Sequence, residues 1–158
     1  MRYDLLNGSD LAYVGDAYIE LVVRKYLVEQ NKYDNDELMK KCIKYVSATS
    51  HAIIYEQIKD EFTEEEFSYF RMGKNTKYNS KRKNLDRKAH SISTGLEAVV
   101  GYLYLTNNLE RLNYIMSLII KIGDTLWLFL VKTLYVKRSW KKDLLRWYTH
   151  LLINGYLI

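Results

Sequence analysis

The sequence predicts an all-α fold, a helical bundle built around one domain-sized core. Proline is absent and the 158 residues include only seven glycines, so the turn-forming residues that an all-β fold needs are scarce. From Ser9 to about Ile122, apolar residues recur mainly at helical spacing. Hydrophobic residues make up 48% of the chain and charged residues 27%, a balance typical of a folded globular protein. These observations favour packed helices over a sheet or a disordered chain.

Six helices are predicted in order along the chain. The first, from Ser9 to about Gln30, is apolar on nearly every side and is therefore expected to be buried. Thr63 with Glu66 forms a capping-box pattern at the start of the fourth helix. The other four are expected over Asp36 to Ser47, His51 to Lys59, Ile92 to Leu105 and Leu109 to about Ile122. The segment from Met72 to Ser91 has no apolar period and is predicted to be a long exposed loop.

The composition changes near Gly123, which divides the chain into a predicted domain at 1–123 and an atypical C-terminal tail at 124–158. The tail combines a very apolar run, Thr125–Val131, with basic residues and a further amphipathic stretch. Asp124 and Lys132 bracket only seven residues in that run, whereas a membrane-spanning helix needs about twenty. Packed helices are the favoured interpretation of the tail. A membrane-surface anchor and a segment foreign to the domain are the alternatives, and the role of the tail stays open.

Cys42 is the only cysteine, so the chain cannot form an internal disulfide. The N-terminal residues also lack the basic-then-apolar pattern of a secretory signal. We therefore expect a cytoplasmic protein. Cys42 follows the helical period of Leu38 and Val46, which predicts a buried thiol in the core rather than a nucleophile.

The net charge of +5 is unevenly distributed along the chain. Residues 71–90 carry +7 and residues 132–146 carry +5, while the remainder carries −7. A concentrated basic segment favours a polyanionic partner, and the Asn, Ser and Thr residues among the bases can hydrogen-bond to sugars and base edges. The alternative is a solvated surface. The candidate nucleic-acid contacts are Arg71, Lys74, Asn75, Lys77, Lys81, Arg82 and Lys83.

Two carboxylates, Asp16 and Glu97, stand nearly alone on apolar helical segments. An ionised carboxylate taken out of water costs several kcal/mol unless a positive charge meets it. A shared metal ion would do so, and one or two carboxylates with waters and substrate phosphate are the ligands that Mg²⁺ prefers. Such an ion can activate water for the hydrolysis of a phosphodiester. The alternative is that each acid caps a helix or pairs with a base.

Small residues flank Glu97, and they would let a second helix approach closely enough for the two acids to meet. Glu20 lies one helical turn from Asp16 on the same face and is predicted to support the Asp16–Glu97 pair without binding the metal ion itself. The sequence has no motif typical of a zinc site, a nucleotide hydrolase or a serine hydrolase. His51 and His90 do not have a paired zinc-ligand spacing, and the chain has neither a Gly-rich phosphate loop ending in Lys-Ser or Lys-Thr nor a GxSxG elbow.

At these motifs the chain resembles the Mini-ribonuclease III family of the ribonuclease III class. The segment Leu11–Ala17 reads Leu-Ala-Tyr-Val-Gly-Asp-Ala, and Ser93–Ala98 reads Ser-Thr-Gly-Leu-Glu-Ala. Val-Ser-Ala at 46–48 and Arg-Met-Gly-Lys-Asn at 71–75 also match the family pattern. Ala12 and Thr94 occupy positions that are acidic in the larger enzymes of the class. His51 stands where the family pattern leads us to expect glutamine.

The resemblance implies a helical endonuclease domain that is obligately dimeric and lacks a separate double-stranded RNA-binding domain. It implies Mg²⁺-dependent cleavage of double-stranded RNA, with Mn²⁺ as a substitute, in the maturation of 23S ribosomal RNA precursors. Asp16 and Glu97 become the catalytic, metal-binding pair, with Glu20 and Thr94 expected behind them. The loop near residues 73–85 would enter a groove of the RNA duplex. The alternative function is a catalytically inactive, helical RNA-binding or ribosome-assembly factor.

Overall fold

The computed structural model describes residues 5–30, 34–76 and 86–138, with side chains described as far as Leu126. These residues form only helices, turns and short connections, which confirms the predicted all-α class. A 3₁₀ turn at Lys59–Glu61 follows the third helix. The α-helices are α1 (Gly8–Glu29), α2 (Asn35–Val46), α3 (Ala48–Ile58), α4 (Glu64–Lys74), α5 (Arg87–Leu105) and α6 (Leu109–Arg138).

Side-chain caps set the starts of the helices. The capping box predicted at α4 is confirmed: the Thr63 amide donates to Glu66 Oε2 at 2.8 Å, and the Glu66 amide donates to Thr63 Oγ1 at 3.2 Å. Asn7 and Asp34 cap α1 and α2 through boxes of the same kind. These bonds satisfy amides that have no partner within the helix.

Three predicted segments had wrong boundaries, in each case because capping or packing outweighs the apolar period. Helix α3 begins at Ala48 and not at His51, since Ser47 Oγ accepts from the Ser50 amide and starts the helix earlier. The predicted loop is shorter at both ends, because α4 continues to Lys74 and Asp86 caps α5 from Arg87 onward. Residues 77–85 of that loop lie outside the described residues.

The third correction concerns the end of α6, which runs on past Ile122 to Arg138. Gly123 lies inside this helix, where a Cβ atom would meet the ring of Tyr45. Glycine therefore acts here as a contact residue and not as a helix terminator.

Helix α5 is the centre of the bundle and contacts α1, α3 and α4, while α1 also packs against α2 and α4. Leu96, Val99 and Val100 on α5 are each 0% exposed. Cys42 on α2 is 4% exposed, which confirms its prediction as a core thiol. On α6, the buried face consists of Leu112, Ile115, Met116 and Ile119.

The backbones of α1 and α5 touch where two glycines face each other. A Cβ atom on Gly15 would lie 2.7 Å from the carbonyl carbon of Glu97 and closer still to its oxygen. A Cβ atom on Gly101 would lie 2.9 Å from the carbonyl carbon of Leu11. We call this contact the α1–α5 crossing. No residue larger than glycine fits at either position without moving a helix.

The chain divides into two compact units, Met1–Gly123 and Asp124–Ile158. Within the described ranges no helix is both long enough and apolar enough to cross a membrane. The backbone of the tail is helical as far as Arg138, and the remainder of the tail lies outside the described residues. The assignment of a separate role to 124–158 stays a prediction.

Candidate active site

The α1–α5 crossing brings the two predicted acids together. Asp16 follows Gly15 directly, and the atom that Gly15 approaches most closely belongs to the backbone of Glu97. The pKa of Asp16 is raised, first by burial beside the crossing and then by the negative charge of Glu97, with His51 acting in the opposite direction. The side chain of Glu97 is only 15% exposed, whereas Asp16 opens to solvent. Glu97 therefore forms the inner side of the site and Asp16 its outer side.

Among the described side chains, neither acid has a lysine or arginine partner that would explain it as an ordinary structural ion pair. In the part of the chain whose side chains are described, no Lys or Arg bonds to Asp16 or Glu97. Both acids are inside their helices and not at the N-terminal caps. Their placement therefore argues against the interpretation that each acid is a helix cap or half of a salt bridge with Lys or Arg.

The donor set fits a hard divalent cation that keeps most of its waters. Residues with described side chains contain no group of three or more His, Cys, Asp or Glu placed to hold a metal ion. Mg²⁺ in proteins is usually bound by one or two carboxylates, with waters and substrate phosphates as the other ligands. Two neighbouring carboxylates to which no described Lys or Arg side chain bonds match that requirement.

His51 and Ser93 complete the inner side of the site, and sequence reasoning missed both. Ser93 Oγ donates to Glu97 Oε1 at 2.6 Å, and His51 Nδ1 lies 2.7 Å from Ser93 Oγ. His51 Nδ1 is also 3.3 Å from Glu97 Oε1. The spacing of four residues between Ser93 and Glu97 was a usable signal for a contact on one helix. His51 comes from α3, 42 residues away from Ser93, and had no local signal.

The two predicted supporting residues have other partners. Glu20 pairs with Arg24, one turn further along α1, although its charge still contributes to the raised pKa of Asp16. Thr94 Oγ1 donates to the carbonyl oxygen of His90 at 3.0 Å, within its own helix. Their supporting roles stay predictions. Ala12, where larger enzymes have an acid, is 5% exposed and packs with Leu11 and Ala98 in the core.

Part of the predicted nucleic-acid surface lies at the end of α4. Arg71, Lys74 and Asn75 are exposed there, with Arg71 over the ring of Phe67 at 5.5 Å from its centroid. Gly73 holds this end against α5, because a Cβ atom at Gly73 would lie 2.5 Å from the Thr94 carbonyl oxygen. Gly73 therefore contacts α5 one helical turn before Glu97, and the exposed Arg71 and Lys74 lie on either side of Gly73 in the sequence. The other predicted contacts, Lys77, Lys81, Arg82 and Lys83, lie outside the described residues.

Comparison with known proteins assigns the chain to a class. The family model for the Ribonuclease III domain matches residues 9–108. Mini-ribonuclease 3 of Clostridium tetani is 40% identical over 120 residues, which cover 75% of this chain and 80% of that protein. Mini-ribonuclease 3 of Staphylococcus aureus is also 40% identical over 120 residues, covering 75% and 90% of the two chains. A crystal structure of a protein from Fusobacterium nucleatum matches with a TM-score of 0.67 at 31% identity, covering 74% of this chain and 93% of that one.

The chain belongs to the Mini-ribonuclease III family of the ribonuclease III class. It is accordingly an endoribonuclease, a hydrolase that cleaves internal phosphodiester bonds of RNA. Enzymes of this class generally depend on divalent metal ions. The resemblance stated from the two acidic motifs is thereby confirmed.

Proposed function

We propose that this double-stranded RNA endoribonuclease works as a Mg²⁺-dependent homodimer in the cytoplasm, that Mn²⁺ can replace Mg²⁺, and that it matures 23S ribosomal RNA precursors. The observation that carries the metal-dependent mechanism is the pairing of Asp16 with Glu97 across the α1–α5 crossing, with no Lys or Arg bonded to either acid among the described side chains. A lone cysteine, which cannot form an internal disulfide, supports the cytoplasmic location.

Asp16 and Glu97 would hold the ion, because two carboxylates that repel each other are relieved by a cation between them. When bound, Mg²⁺ supplies a Lewis acid that activates water and stabilises the charge of an in-line phosphodiester hydrolysis. Glu97 holds its position on the protein side of the site through Ser93 and His51. Asp16, which is open to solvent, faces the side from which substrate arrives.

The end of α4 would bind the RNA backbone. Arg71 and Lys74 are exposed and can neutralise phosphates with release of counterions, and Asn75 can hydrogen-bond to sugars. Because double-stranded RNA is recognised mostly through its shape and backbone, such contacts suit a duplex substrate without strong sequence preference. The anchoring of Gly73 on α5 keeps these contacts in register with the acids.

An apolar stripe on α1 supports the homodimer. Tyr13, Leu21 and Val28 are 84%, 65% and 60% exposed, and their spacing places them on one side of the helix. A stripe of large apolar side chains exposed on one helix is a feature of protein interfaces. A two-fold dimer would present two copies of the site, one for each strand of a duplex. Light scattering should give twice the chain mass, and Leu21→Glu should give the monomer.

Cleavage of a labelled RNA duplex tests the proposal. We expect cutting in Mg²⁺ or Mn²⁺ and none in chelator, and we expect Asp16→Asn and Glu97→Gln each to abolish cutting while gel-shift binding persists. A DNA duplex of the same sequence serves as the matched control and should stay intact, since it lacks the 2′-hydroxyls and A-form shape of RNA. Undiminished cutting by both variants would refute the assigned site.

The ribosomal substrate is tested separately. A precursor stem of the large-subunit ribosomal RNA should be cut at one defined position and faster than a scrambled duplex of the same length. Equal rates and scattered cuts on both RNAs would remove the ribosomal assignment and leave the duplex-specific activity in place.

A further inference from the structure

His51 is a buried polar side chain whose position needs an explanation. It is 0% exposed, and the other polar or charged side chains buried to a similar degree in the described ranges are Ser93 and Glu66. Buried polar groups in folded proteins are nearly always hydrogen-bonded, because an unpaired one costs free energy. His51 satisfies only one of its two ring nitrogens, since Nε2 has no hydrogen-bond partner in the described structure.

The hydrogen bonds around His51 fix which nitrogen carries the proton. A serine hydroxyl has one hydrogen, and that of Ser93 is donated to Glu97 Oε1 at 2.6 Å. Ser93 Oγ can therefore only accept from His51 Nδ1 at 2.7 Å, so the proton is on Nδ1. Nδ1 also lies 3.3 Å from Glu97 Oε1.

Both side chains thus lie against the same oxygen of Glu97. Oε1 receives the Ser93 hydroxyl and lies beside the Nδ1–H of His51, whereas Oε2 makes no hydrogen bond with a described residue. A carboxylate held in this way can rotate neither about its last torsion nor away from the crossing without breaking a buried bond. Its free oxygen is left for a ligand.

We propose that His51 and Ser93 are positioning residues that reserve Oε1 of Glu97 for the protein and present Oε2 to the metal ion that Asp16 shares. The inference rests on the proposed metal-binding role of Asp16 and Glu97. His51 and Ser93 touch neither ion nor RNA and act only through Glu97. Hydrogen-bond partners of metal-binding carboxylates commonly change metal affinity by about tenfold to a hundredfold when they are removed.

Two substitutions at His51 separate this role from simple core filling. In His51→Asn the side-chain amide occupies the place of Nδ1 and can still donate, but the lost ring atoms leave a cavity. In His51→Leu the volume is kept and the donor is lost. We expect the Leu variant to be the more stable of the two and the Asn variant to bind metal more tightly. If His51 only fills the core, the less stable of the two variants should also bind the metal ion more weakly.

The experiment is isothermal titration of the full-length wild type and variants with Mn²⁺ in the absence of RNA, together with thermal unfolding. Ser93→Ala and His51→Leu should weaken Mn²⁺ binding by about tenfold to a hundredfold. His51→Asn should stay within about threefold of the wild type. Ser91→Ala is the matched control, because its hydroxyl donates only to the Lys88 carbonyl of its own helix. It should leave the affinity unchanged.

Cleavage kinetics give the second measurement. With Ser93→Ala and His51→Leu, the Mg²⁺ concentration for half-maximal cleavage should rise by the same factor while KM for RNA stays constant. Unchanged Mn²⁺ affinity in Ser93→Ala overturns the inference, as does an affinity order of Leu above Asn at position 51. If the wild type binds Mn²⁺ and the variants bind it more weakly, but none cuts RNA, the positioning role holds and the proposed function fails.

Discussion

Enlarging Gly15 by one methyl group tests whether the close contact of α1 and α5 creates the active site. In Gly15→Ala the new Cβ would lie 2.7 Å from the Glu97 carbonyl carbon, whereas two carbon atoms pack comfortably at about 3.5–4.0 Å. The Glu97 carbonyl oxygen would lie closer still, so the two helices must separate by at least about 1 Å at the point where Asp16 and Glu97 meet. Rotation of a side chain cannot relieve this clash, because the atoms that the new Cβ would meet belong to the backbone of α5.

Two terms set the expected size of the effect. Overpacking of a well-packed core costs about 1–3 kcal/mol and occasionally more. Replacing glycine by alanine inside a helix stabilises the helix by about 0.5–1 kcal/mol, which offsets part of that cost. A net loss of roughly 1–2 kcal/mol lowers the melting temperature of a domain of this size by about 4–8 °C. For the fraction that stays folded, a displacement of about 1 Å in a catalytic group can cost about a hundredfold in rate.

The assay measures thermal unfolding and single-turnover cleavage of duplex RNA for Gly15→Ala and Gly101→Ala, which enlarge the same crossing from opposite sides. Ser117→Ala on the exposed side of α6 is the control, since its hydroxyl bonds only to the Tyr114 carbonyl. It should match the wild type in both measurements. If Gly15→Ala keeps both the melting temperature and a rate within threefold of the wild type, the crossing is not what holds the acids together.

Three further sets of substitutions have expected outcomes. Burial raises the pKa of Asp16, so the folded protein binds the carboxyl proton more tightly than the unfolded chain does. The stability of the metal-free fold therefore falls as the pH rises through the raised pKa of Asp16. Asp16→Asn should raise the melting temperature of the metal-free protein at neutral pH and abolish the increase in melting temperature that Mg²⁺ causes. Glu66 is 2% exposed; burial alone would raise its pKa, but hydrogen bonds from Arg111 and the Thr63 capping box hold it below the ordinary value. Arg111→Met should therefore lower the unfolding free energy by about 3 kcal/mol, measured in urea, and Glu66→Gln added to it should recover part of that loss. Replacing Arg71 and Lys74 by Gln should reduce the slope of log binding constant against log salt by about two.

Contrary results would be as informative. An Asp16→Asn protein that melts below the wild type in chelator would mean that the acid stabilises the fold through a partner. An Arg111→Met protein with wild-type stability would mean that water replaces the guanidinium beside Glu66. A salt slope that the loss of Arg71 and Lys74 leaves unchanged would place the phosphate contacts elsewhere.

The two acids were predictable because each breaks an apolar helical pattern, and such a break is visible without knowing the fold. Asp16 and Glu97 were identified in this way, and the α1–α5 crossing places them together. His51 could not be found by the same reasoning, since its partner Ser93 is 42 residues away and only the packing of α3 on α5 joins them. Its sequence neighbours indicate a core position and no more.

The errors in the helix boundaries have a related cause. The first turn of α5 is polar, and its stability comes from the Asp86 cap. The apolar period therefore begins about one turn after the actual start of the helix. At Gly123 the sequence suggests a helix end, yet the ring of Tyr45 fills the space that a side chain would need. Local composition describes propensity, whereas these positions are decided by contacts from other helices.

The glycine contact between α1 and α5 also determines how the active site can be lost. In many enzymes the catalytic groups lie on loops that open long before the molecule unfolds. Here both acids lie in helices whose backbones touch through the core, so separating them means breaking up the most protected cooperative unit. We expect the amides of residues 96–101 to exchange with solvent only by global unfolding. Activity and folding should then disappear together in a denaturant titration, with no folded but inactive intermediate between them.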